Sequence, residues 1–347
     1  MNQSEEKIPL LGMTPDELRK VAVECGLKPF HGKQMARWLY VARVTETDAM
    51  TDLSKSARER LSQRYEIGRE APKMAARSVD GTVKYLFEGS GGRDVEAVYI
   101  PDRERATLCV SSQAGCRMGC RFCMTGRQGF HGNLSAAQII NQIMSVENSA
   151  SLTNIVFMGM GEPTDNLGAV LRAIEILTAP WGFAWSPKRI TVSTIGNISA
   201  VRRLIDETRV HLALSLHSPF AAERESIMPA ERAWPARKVM HTLAQGDFAH
   251  QRRLSLEYIV FSGLNDDARH ADALVELLAN NGLLRDCRVN LIRFHAIPDA
   301  PFSSPDEKAI EAFRDRLNSA GVTATIRASR GEDIMAACGQ LAGRSKQ

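Results

Sequence analysis

TLCVSSQAGCRMGCRFC, residues 107–123, is the stretch that decides the fold, because it joins a buried strand to a loop rich in cysteine. Thr107–Ser111 is a short apolar and β-branched run, which is typical of a buried strand. Cys116, Cys120 and Cys123 follow within eight residues. In parallel α/β folds, ligands bind at the carboxyl ends of the strands, where such a loop lies. The stretch therefore predicts the first unit of a parallel sheet with a site at its carboxyl edge.

The same alternation of strand and helix continues outward from this stretch. Six strands are predicted over Thr107–Ser111, Ile155–Met158, Ile190–Thr194, Leu212–Leu216, Leu256–Val260 and Val289–Arg293. Helical patterns follow them over Ala136–Glu147, Leu167–Leu177, Ala200–Glu207, Ala236–Leu243, Ala268–Asn280 and Asp306–Leu317. Near-continuously apolar strands alternating with helices predict a parallel sheet covered by helices. Six units are too few for a closed eightfold barrel, so we expect an open six-stranded (β/α)6 partial TIM barrel; a doubly wound sheet also fits the count.

The part of the chain before this core has a different pattern. The first 75 residues are predicted to be helical, with Thr14 as an N-cap and Pro15 at the first helical position. Two short strands, Val83–Phe87 and Val95–Ile100, come next. We therefore predict a helical accessory domain over 1–75, a β connection over 76–101, a core over 102–330 and a C-terminal tail over 331–347.

Composition restricts the class of protein. Of the 347 residues, 44% are hydrophobic and 24% are charged, which is typical of a globular chain rather than a disordered one. Apolar stretches are interrupted before the roughly 20 residues that a membrane span needs, and Met1–Pro9 lacks the apolar run of a signal peptide. We expect a cytoplasmic protein without a membrane partner. The net charge of +4 permits a nucleic-acid partner without requiring one.

Cysteine spacing indicates a metal site. Seven cysteines, an odd number, in a chain without a secretion signal argue against a disulfide framework. Thiolates at Cys116, Cys120 and Cys123 can hold a [4Fe–4S] cluster and leave one iron without a protein ligand. Zinc is the alternative, with His131 as the nearest fourth ligand, but zinc sites usually carry a distant second pair, and no second pair follows.

Further polar residues stand where predicted strands end. Gly161 and Glu162 lie in the segment Gly159-Met-Gly-Glu-Pro163 after the second strand. This segment is either a ligand site or only a turn, because Gly and Pro end strands in any case. The third, fourth and sixth strands contribute Ser193, Ser215, Leu216, His217 and Asn290. Together these residues predict a polar ring at the carboxyl edge of the sheet.

The spacing C-x₃-C-x₂-C after the first strand resembles the radical S-adenosylmethionine superfamily. That resemblance implies that Cys116, Cys120 and Cys123 bind the cluster. It also implies that Gly161 and Glu162 bind the amino group of S-adenosylmethionine. The further cofactor contacts implied are Ser193, Ser215, Leu216, His217 and Asn290.

The similarity extends over essentially the whole chain to one family, the dual-specificity adenine-C2 methyltransferases of large-subunit rRNA and tRNA. The segments that carry it are Thr107–Cys116, Met158–Pro163, Leu214–His217, Val289–Leu291 and Arg330–Leu341. The resemblance implies that Cys338 carries a methyl group, that Cys109 is a resolving thiol, and that Glu96 accepts a proton. A solvated strand face is the alternative for Glu96. Arg293-Phe-His295 departs from the family pattern, so the resemblance does not predict how this part of the rim contacts the substrate.

The family chemistry consumes two S-adenosylmethionine molecules per turnover. One methylates Cys338; a radical made from the other at the [4Fe–4S] cluster activates that methyl group, which adds to C2 of adenine. Loss of the C2 proton and a transient disulfide between Cys338 and Cys109 release the product, and external reduction resets the thiols. C2 lies between two ring nitrogens and is electron-poor, so a carbon radical suits it better than polar methyl transfer.

The same resemblance implies the partners. They are 23S rRNA, tRNA at the adenosine next to the anticodon, and an external electron donor of the flavodoxin type; the enzyme is expected to be a monomer. Basic residues that could contact phosphate are Lys33, Arg37, Arg252 and Arg253. Two alternatives remain: a C8-methylating relative, and, from another class, a non-catalytic RNA-binding protein with a structural metal site.

Overall fold

The computed structural model describes residues 7–248 and 253–343. Within these ranges the strands, numbered in chain order, are β1 (Ile8–Pro9), β2 (Tyr65–Glu66), β3 (Met74–Arg77), β4 (Val83–Glu88), β5 (Asp94–Asp102), β6 (Arg105–Cys109), β7 (Gln113–Gly115), β8 (Phe130–Asn133), β9 (Asn154–Phe157), β10 (Ile190–Thr194), β11 (His211–Ser215), β12 (Leu254–Val260), β13 (Cys287–Arg293) and β14 (Thr323–Ile326). The α-helices are α1 (Pro15–Glu24), α2 (His31–Tyr40), α3 (Lys55–Arg64), α4 (Met124–Arg127), α5 (Ala136–Ser145), α6 (Leu167–Thr178), α7 (Ile198–Glu207), α8 (Ala221–Ile227), α9 (Ala236–Ala244), α10 (Ala268–Asn280) and α11 (Glu307–Ser319). None of the described helices is long and apolar enough to cross a bilayer.

The chain divides into two compact units. The first contains the described residues up to Pro72 together with 134–150 and 168–186. Its helix α1 begins as predicted: Thr14 is the N-cap, Pro15 the first helical residue, and Glu17 completes a capping box. Gly32 of α2 is buried, and a Cβ there would lie 2.5 Å from the backbone nitrogen of Arg19. The glycine therefore permits the close approach of α1 and α2.

The second unit contains residues 73–133, 151–167 and those from Pro187 onward. Its main sheet has ten strands in the order β14-β13-β12-β11-β10-β9-β6-β5-β4-β3. The parallel part of the sheet consists of β6, β9, β10, β11, β12, β13 and β14, each paired with the next in that order. On the other side of β6, the sheet continues through β5, β4 and β3, and each of these strands is antiparallel to its neighbour. A separate hairpin of β7 and β8 lies in the loop after β6.

All six predicted parallel strands and their helices are present, with bounds that differ by at most two residues. The prediction missed a seventh parallel strand, β14, so its strand count was wrong. β14 has only four residues, and its burial alternates between exposed and covered positions. A short, half-exposed edge strand lacks the continuous apolar run by which the other parallel strands were recognised.

An apolar cluster covers the carboxyl ends of several parallel strands in the second unit. Its buried members include Phe122, Ile195, Ile259, Phe261 and Phe294. Phe261 contacts the rings of Phe122 and Phe294 with centroids 5.7 and 5.3 Å apart. This cluster forms a water-excluding wall where the predicted ligand site lies.

Candidate functional site

The cysteine loop runs from β7 to the short helix α4, and its path is fixed by backbone contacts. Gly115 has φ +76°, and a Cβ there would lie 2.0 Å from the carbonyl oxygen of Gly129, so only glycine fits. The Cys116 N–H donates to that carbonyl at 2.8 Å, and the Cys123 N–H donates to the Cys120 carbonyl at 3.2 Å. The backbone therefore holds all three cysteines on one tight turn.

The three thiols share one environment. Cys116, Cys120 and Cys123 are partly buried and pack against the apolar cluster. Burial raises the pKa of Cys116 to about 12, and it raises the pKa of Cys120 as well, where the negative charges of Cys123, Cys116 and Glu162 add to the effect. Burial also raises the pKa of Cys123, which backbone N–H groups of the following turn partly offset. The loop therefore needs a bound cation before it can hold three thiolates.

The residues of the loop fit an iron–sulfur cluster. Three sulfur donors are available, and the adjoining wall is apolar, as a thiolate-bound cluster prefers. A Cβ on Gly126 would lie 3.0 Å from the backbone nitrogen of Cys120, so the backbone turns closely around the sulfurs. Within residues 7–248 and 253–343, no three Cys, His, Asp or Glu side chains already stand in metal-coordinating geometry. The donor set suits a cluster with one open iron better than zinc, which requires a fourth protein ligand.

Glu162 lies just after β9 and is buried. One carboxylate oxygen accepts the N–H and hydroxyl of Thr164 at 3.1 and 2.6 Å, and the other accepts the Ile195 N–H at 3.0 Å. Burial raises its pKa, and these hydrogen bonds oppose that shift. Gly161, with φ +96°, approaches Gln113 so closely that a Cβ would lie 2.5 Å from the Gln113 Cβ. The segment thus presents an oriented carboxylate, which can complement an ammonium group.

Two predicted hydroxyl residues lie side by side at the ends of β10 and β11. The hydroxyl oxygens of Ser193 and Ser215 are 3.3 Å apart. Behind them lies Arg224, which the sequence interpretation missed and which is completely buried. Its guanidinium donates to the carbonyls of Ser215, Leu216 and Ile195, each at 3.0 Å. An arginine in a charged helical segment, Glu223-Arg-Glu-Ser226, gives no sign that it will be the largest fully buried side chain among the described residues.

His217 follows β11 and has a structural hydrogen bond. Its Nδ1 accepts the Ile259 N–H at 3.0 Å, and its ring stands edge-on to Phe122 with centroids 4.8 Å apart. Burial and the nearby Arg224 charge lower its pKa to about 3, so the imidazole is neutral at physiological pH. Leu216 donates its N–H to the Glu257 carbonyl at 3.0 Å.

Asn290 on β13 contacts a second residue that the sequence interpretation missed. Its amide nitrogen donates to the Glu257 carboxylate at 2.7 Å. Glu257 is buried in the mostly apolar strand LSLEYIV, where Ser255 also donates to its carboxylate at 2.8 Å, and burial raises its pKa. A single carboxylate in the middle of a mostly apolar strand was the available signal.

Cys338 is brought close to the cysteine loop and to Cys109. The Met124 N–H donates to the Gly339 carbonyl at 2.8 Å, and a Cβ on Gly339 would lie 3.1 Å from the Phe122 carbonyl oxygen. Cys338 is exposed as a residue, yet burial still raises its thiol pKa. Burial raises the pKa of Cys109 far above its usual range, and the charge of Cys338 raises it further.

Glu96 lies on β5 and is only 2% exposed, so the alternative of a solvated strand face is wrong. Its carboxylate pairs with Lys84 at 3.2 Å and accepts the Ala342 N–H at 2.7 Å. The two cysteines expected to be ordinary buried residues, Cys25 and Cys287, are buried. All seven cysteines are free thiols.

The departure from the family pattern, Arg293-Phe-His295, has a packing role here. Arg293 pairs with the Glu307 carboxylate at 2.6 Å, and Phe294 belongs to the apolar cluster. Among the predicted phosphate contacts, Lys33 and Arg37 are exposed on α2, and Arg253 is exposed before β12. Arg252 lies outside the described residues.

Comparisons with known proteins identify the family of this chain. Residues 8–67 match the family described as ribosomal RNA large subunit methyltransferase N-terminal domain, and residues 110–277 match the radical SAM superfamily. The chain is 56% identical to the probable dual-specificity RNA methyltransferase RlmN of Parabacteroides distasonis, over 97% of each chain. It is 38% identical to the dual-specificity RNA methyltransferase RlmN of Pseudomonas fluorescens, over 99% of this chain and 92% of that one. A solved radical SAM methyltransferase from Sphaerobacter thermophilus superposes with a TM-score of 0.90 at 37% identity, covering 97% of this chain and all of that one.

Fold, cysteine loop and comparisons together define a radical S-adenosylmethionine enzyme, a methyltransferase whose cofactors are a [4Fe–4S] cluster and S-adenosylmethionine. Within that class, the chain belongs to the RlmN family of dual-specificity RNA methyltransferases.

Proposed function

We propose that this protein methylates C2 of a specific adenosine in 23S rRNA and of the adenosine next to the anticodon in tRNA. The observation that carries the proposal is the position of the Cys338 tail, which contacts the cysteine loop and is attached to the strand beside that of Cys109. The Gly339 carbonyl accepts the Met124 N–H directly after the third cluster cysteine, and Glu96 on β5, which pairs with the Cys109 strand β6, accepts the Ala342 N–H at 2.7 Å. A methyl carrier has to meet both the radical source and a resolving thiol, and this arrangement supports that requirement.

The roles of the cofactor residues follow from their contacts. Cys116, Cys120 and Cys123 hold the cluster, which, when bound and reduced, supplies the electron that cleaves S-adenosylmethionine. Glu162, oriented by Thr164 and Ile195, and Gly161 receive the amino group of that molecule. Ser193, Ser215, Leu216, His217 and Asn290 line the same edge of the sheet. Because His217 is neutral and its Nδ1 already accepts the Ile259 N–H, we assign it a role in shaping the cofactor site and no role as a proton donor.

Two thiols act in sequence. The Cys338 thiolate displaces S-adenosylhomocysteine from one S-adenosylmethionine and becomes S-methylcysteine. Transfer of one hydrogen atom from that methyl group to the radical derived from the second S-adenosylmethionine leaves a carbon radical on Cys338, which forms a bond to C2 of adenine. The adduct then loses the C2 proton, for which Glu96 is the proposed acceptor, and one electron, which the cluster would take back. Cys109 attacks the Cys338 sulfur to form a disulfide, and the released CH2 carbon takes up a proton to become the methyl group of the base. An external reductant of the flavodoxin type supplies electrons, and reduction of the disulfide restores both thiols.

The architecture proposed around this site is an open partial TIM barrel, acting as a cytoplasmic monomer. Residues 102–330 form its core, the tail from 331 carries the methyl group, and 76–101 connect the core to an RNA-contacting accessory domain over 1–75. Exposed Lys33 and Arg37 on α2 suit phosphate contacts in that domain. The target adenine has to leave its base stack before C2 can reach the Cys338 side chain.

The test compares Cys338→Ala with Cys109→Ala. Cys338→Ala removes the carrier, so neither methylated enzyme nor an RNA adduct is expected. Cys109→Ala keeps the carrier and loses the resolving thiol, so RNA should remain covalently attached to Cys338. Buried Cys287 supplies the matched control, since Cys287→Ala removes a thiol away from this chemistry and should turn over.

Denaturing gels detect the adduct, and mass spectrometry of digested RNA identifies the product. Normal turnover by Cys109→Ala without cross-linked RNA would overturn the assignment. A product methylated at C8 instead of C2 would assign the chain to the C8-methylating relatives, and four irons per chain after anaerobic reconstitution would exclude the structural zinc protein.

A further inference from the structure

The C-terminal tail is attached to the sheet at two points on either side of Cys338. The Lys84 ammonium donates to the Met335 carbonyl at 3.1 Å, and the Glu96 carboxylate accepts the Ala342 N–H at 2.7 Å. Lys84 and Glu96 also pair with each other at 3.2 Å, and their side chains are only 16% and 2% exposed. The ion pair thus closes the loop 335–342, with Cys338 near its middle.

Strand register places this ion pair on the sheet face that carries Cys109. Lys84 on β4 lies opposite Val98 on β5, and Val98 lies opposite Cys109 on β6. Residues directly opposite each other point to the same face, and Glu96 shares that face because it is two residues from Val98. Lys84, Glu96 and Cys109 therefore stand on one face of three neighbouring strands.

We propose that Lys84 and Glu96 are positioning residues that hold the Cys338 loop over Cys109. This inference rests on the proposed function, because it supplies the geometry that a methyl carrier and a resolving thiol require. Two charge-assisted hydrogen bonds at the ends of an eight-residue loop limit the positions that the Cys338 sulfur can reach. The start of the tail does not depend on this pair, since Asp80 accepts the Gly331 N–H at 3.0 Å and Ser78 donates to Asp333 at 2.6 Å.

The role differs from that of a proton acceptor, and one substitution separates the two. In Glu96→Gln the amide oxygen still accepts the Ala342 N–H, but the side chain no longer takes up a proton from C2. Glu96→Ala removes the hydrogen bond with the Ala342 N–H and the ion pair with Lys84. Lys84→Met removes the contact with Met335 and leaves the Glu96 carboxylate in place. Lys73→Met is the matched control, because Lys73 pairs with Asp94 on β5 at 2.7 Å and makes no hydrogen bond to the described part of the tail, residues 331–343.

The experiment measures hydrogen–deuterium exchange of residues 335–342 in the cluster-loaded, full-length protein. We expect Glu96→Ala and Lys84→Met to exchange this loop about tenfold faster than wild type, the factor that one lost hydrogen bond represents. Glu96→Gln should exchange the loop within about twofold of wild type, and Lys73→Met should match wild type. The rate at which glutathione disulfide drives Cys109–Cys338 disulfide formation should fall with the same ranking.

Unchanged exchange in both Glu96→Ala and Lys84→Met would overturn the proposal. Exchange in Glu96→Gln as fast as in Glu96→Ala would also overturn it, because the retained side-chain oxygen would then not be holding the Ala342 N–H. Hydrogen–deuterium exchange does not depend on catalysis, so it tests the loop even if the methyltransferase assignment fails. Failure of that assignment has its own signature, because the wild-type protein would then form no Cys109–Cys338 disulfide and would methylate no RNA.

Discussion

Arg224→Met is expected to be the most destabilising single substitution among the predictions made for the second unit. The guanidinium is completely buried and donates to the carbonyls of Leu216, Ile195 and Ser215, each at 3.0 Å. It also pairs with the buried carboxylate of Glu231. Methionine fills a similar apolar volume but offers no donor to any of these groups.

The magnitude follows from what remains unpaired. Removing one member of a buried ion pair costs about 3–5 kcal/mol, because the other charge stays buried without compensation. That range corresponds to a factor of about 150 to about 4,000 in the unfolding equilibrium. Glu231→Gln combined with Arg224→Met should recover part of the loss, because the glutamine oxygen still accepts the Ala236 N–H and no lone charge remains.

Urea denaturation followed by far-UV circular dichroism measures the effect. The matched control is Arg203→Met, which breaks the exposed pair with Glu207 and should leave the urea midpoint nearly unchanged, because solvent screens exposed ion pairs. If Arg224→Met proved no more destabilising than Arg203→Met, the buried guanidinium would contribute nothing net, and the reasoning from its hydrogen bonds would be refuted.

Three further substitutions test the site. Gly161→Ala should weaken S-adenosylmethionine binding in equilibrium dialysis at least about tenfold, because φ is +96° and the new Cβ would lie 2.5 Å from Gln113; unchanged binding would contradict this. Cys120→Ala should lose the broad visible absorption of the cluster and all 5′-deoxyadenosine formation, whereas Cys25→Ala should keep both. Burial lowers the pKa of His217 to about 3 in the folded protein, whereas its pKa in the unfolded chain is near 6.5. As the pH drops from about 6.5 towards 3, only the unfolded state takes up a proton on this histidine, so the folded protein becomes less stable. In His217→Asn, the urea midpoint should fall less steeply with decreasing pH over that interval. The same pH dependence as in wild type would refute the conclusion that burial of neutral His217 causes the loss of stability.

The sequence determined the parallel core because local chemistry and tertiary role coincide there. A strand buried on both faces has to be apolar throughout, so runs such as Ile190–Thr194 were recognised with their observed bounds. Helix α10 was likewise placed at Ala268–Asn280. The short edge strand β14 was missed, since a strand with one neighbour and an exposed face carries no such run.

Within the site, the sequence identified the residues whose chemistry is rare. Three thiols in eight residues stand out in any fold, and the resemblance to a known family supplied Cys109 and Cys338. Arg224 and Lys84 were not found, because charged residues are usually solvated and nothing local distinguishes these two. Each is buried only because distant backbone carbonyls, those of Ile195 and Met335, converge on it.

Tertiary structure alone decided how Cys338 is held. Cys109 and Cys338 lie more than two hundred positions apart, and their proximity depends on which strands pair and in which register. Register sets the face on which Lys84, Glu96 and Cys109 point, and a shift of one residue would turn any of them to the opposite face. The sequence therefore supplied the thiols and the cysteine loop, while the pairing of β4, β5 and β6 placed the ion pair that closes the loop around Cys338, the proposed methyl carrier.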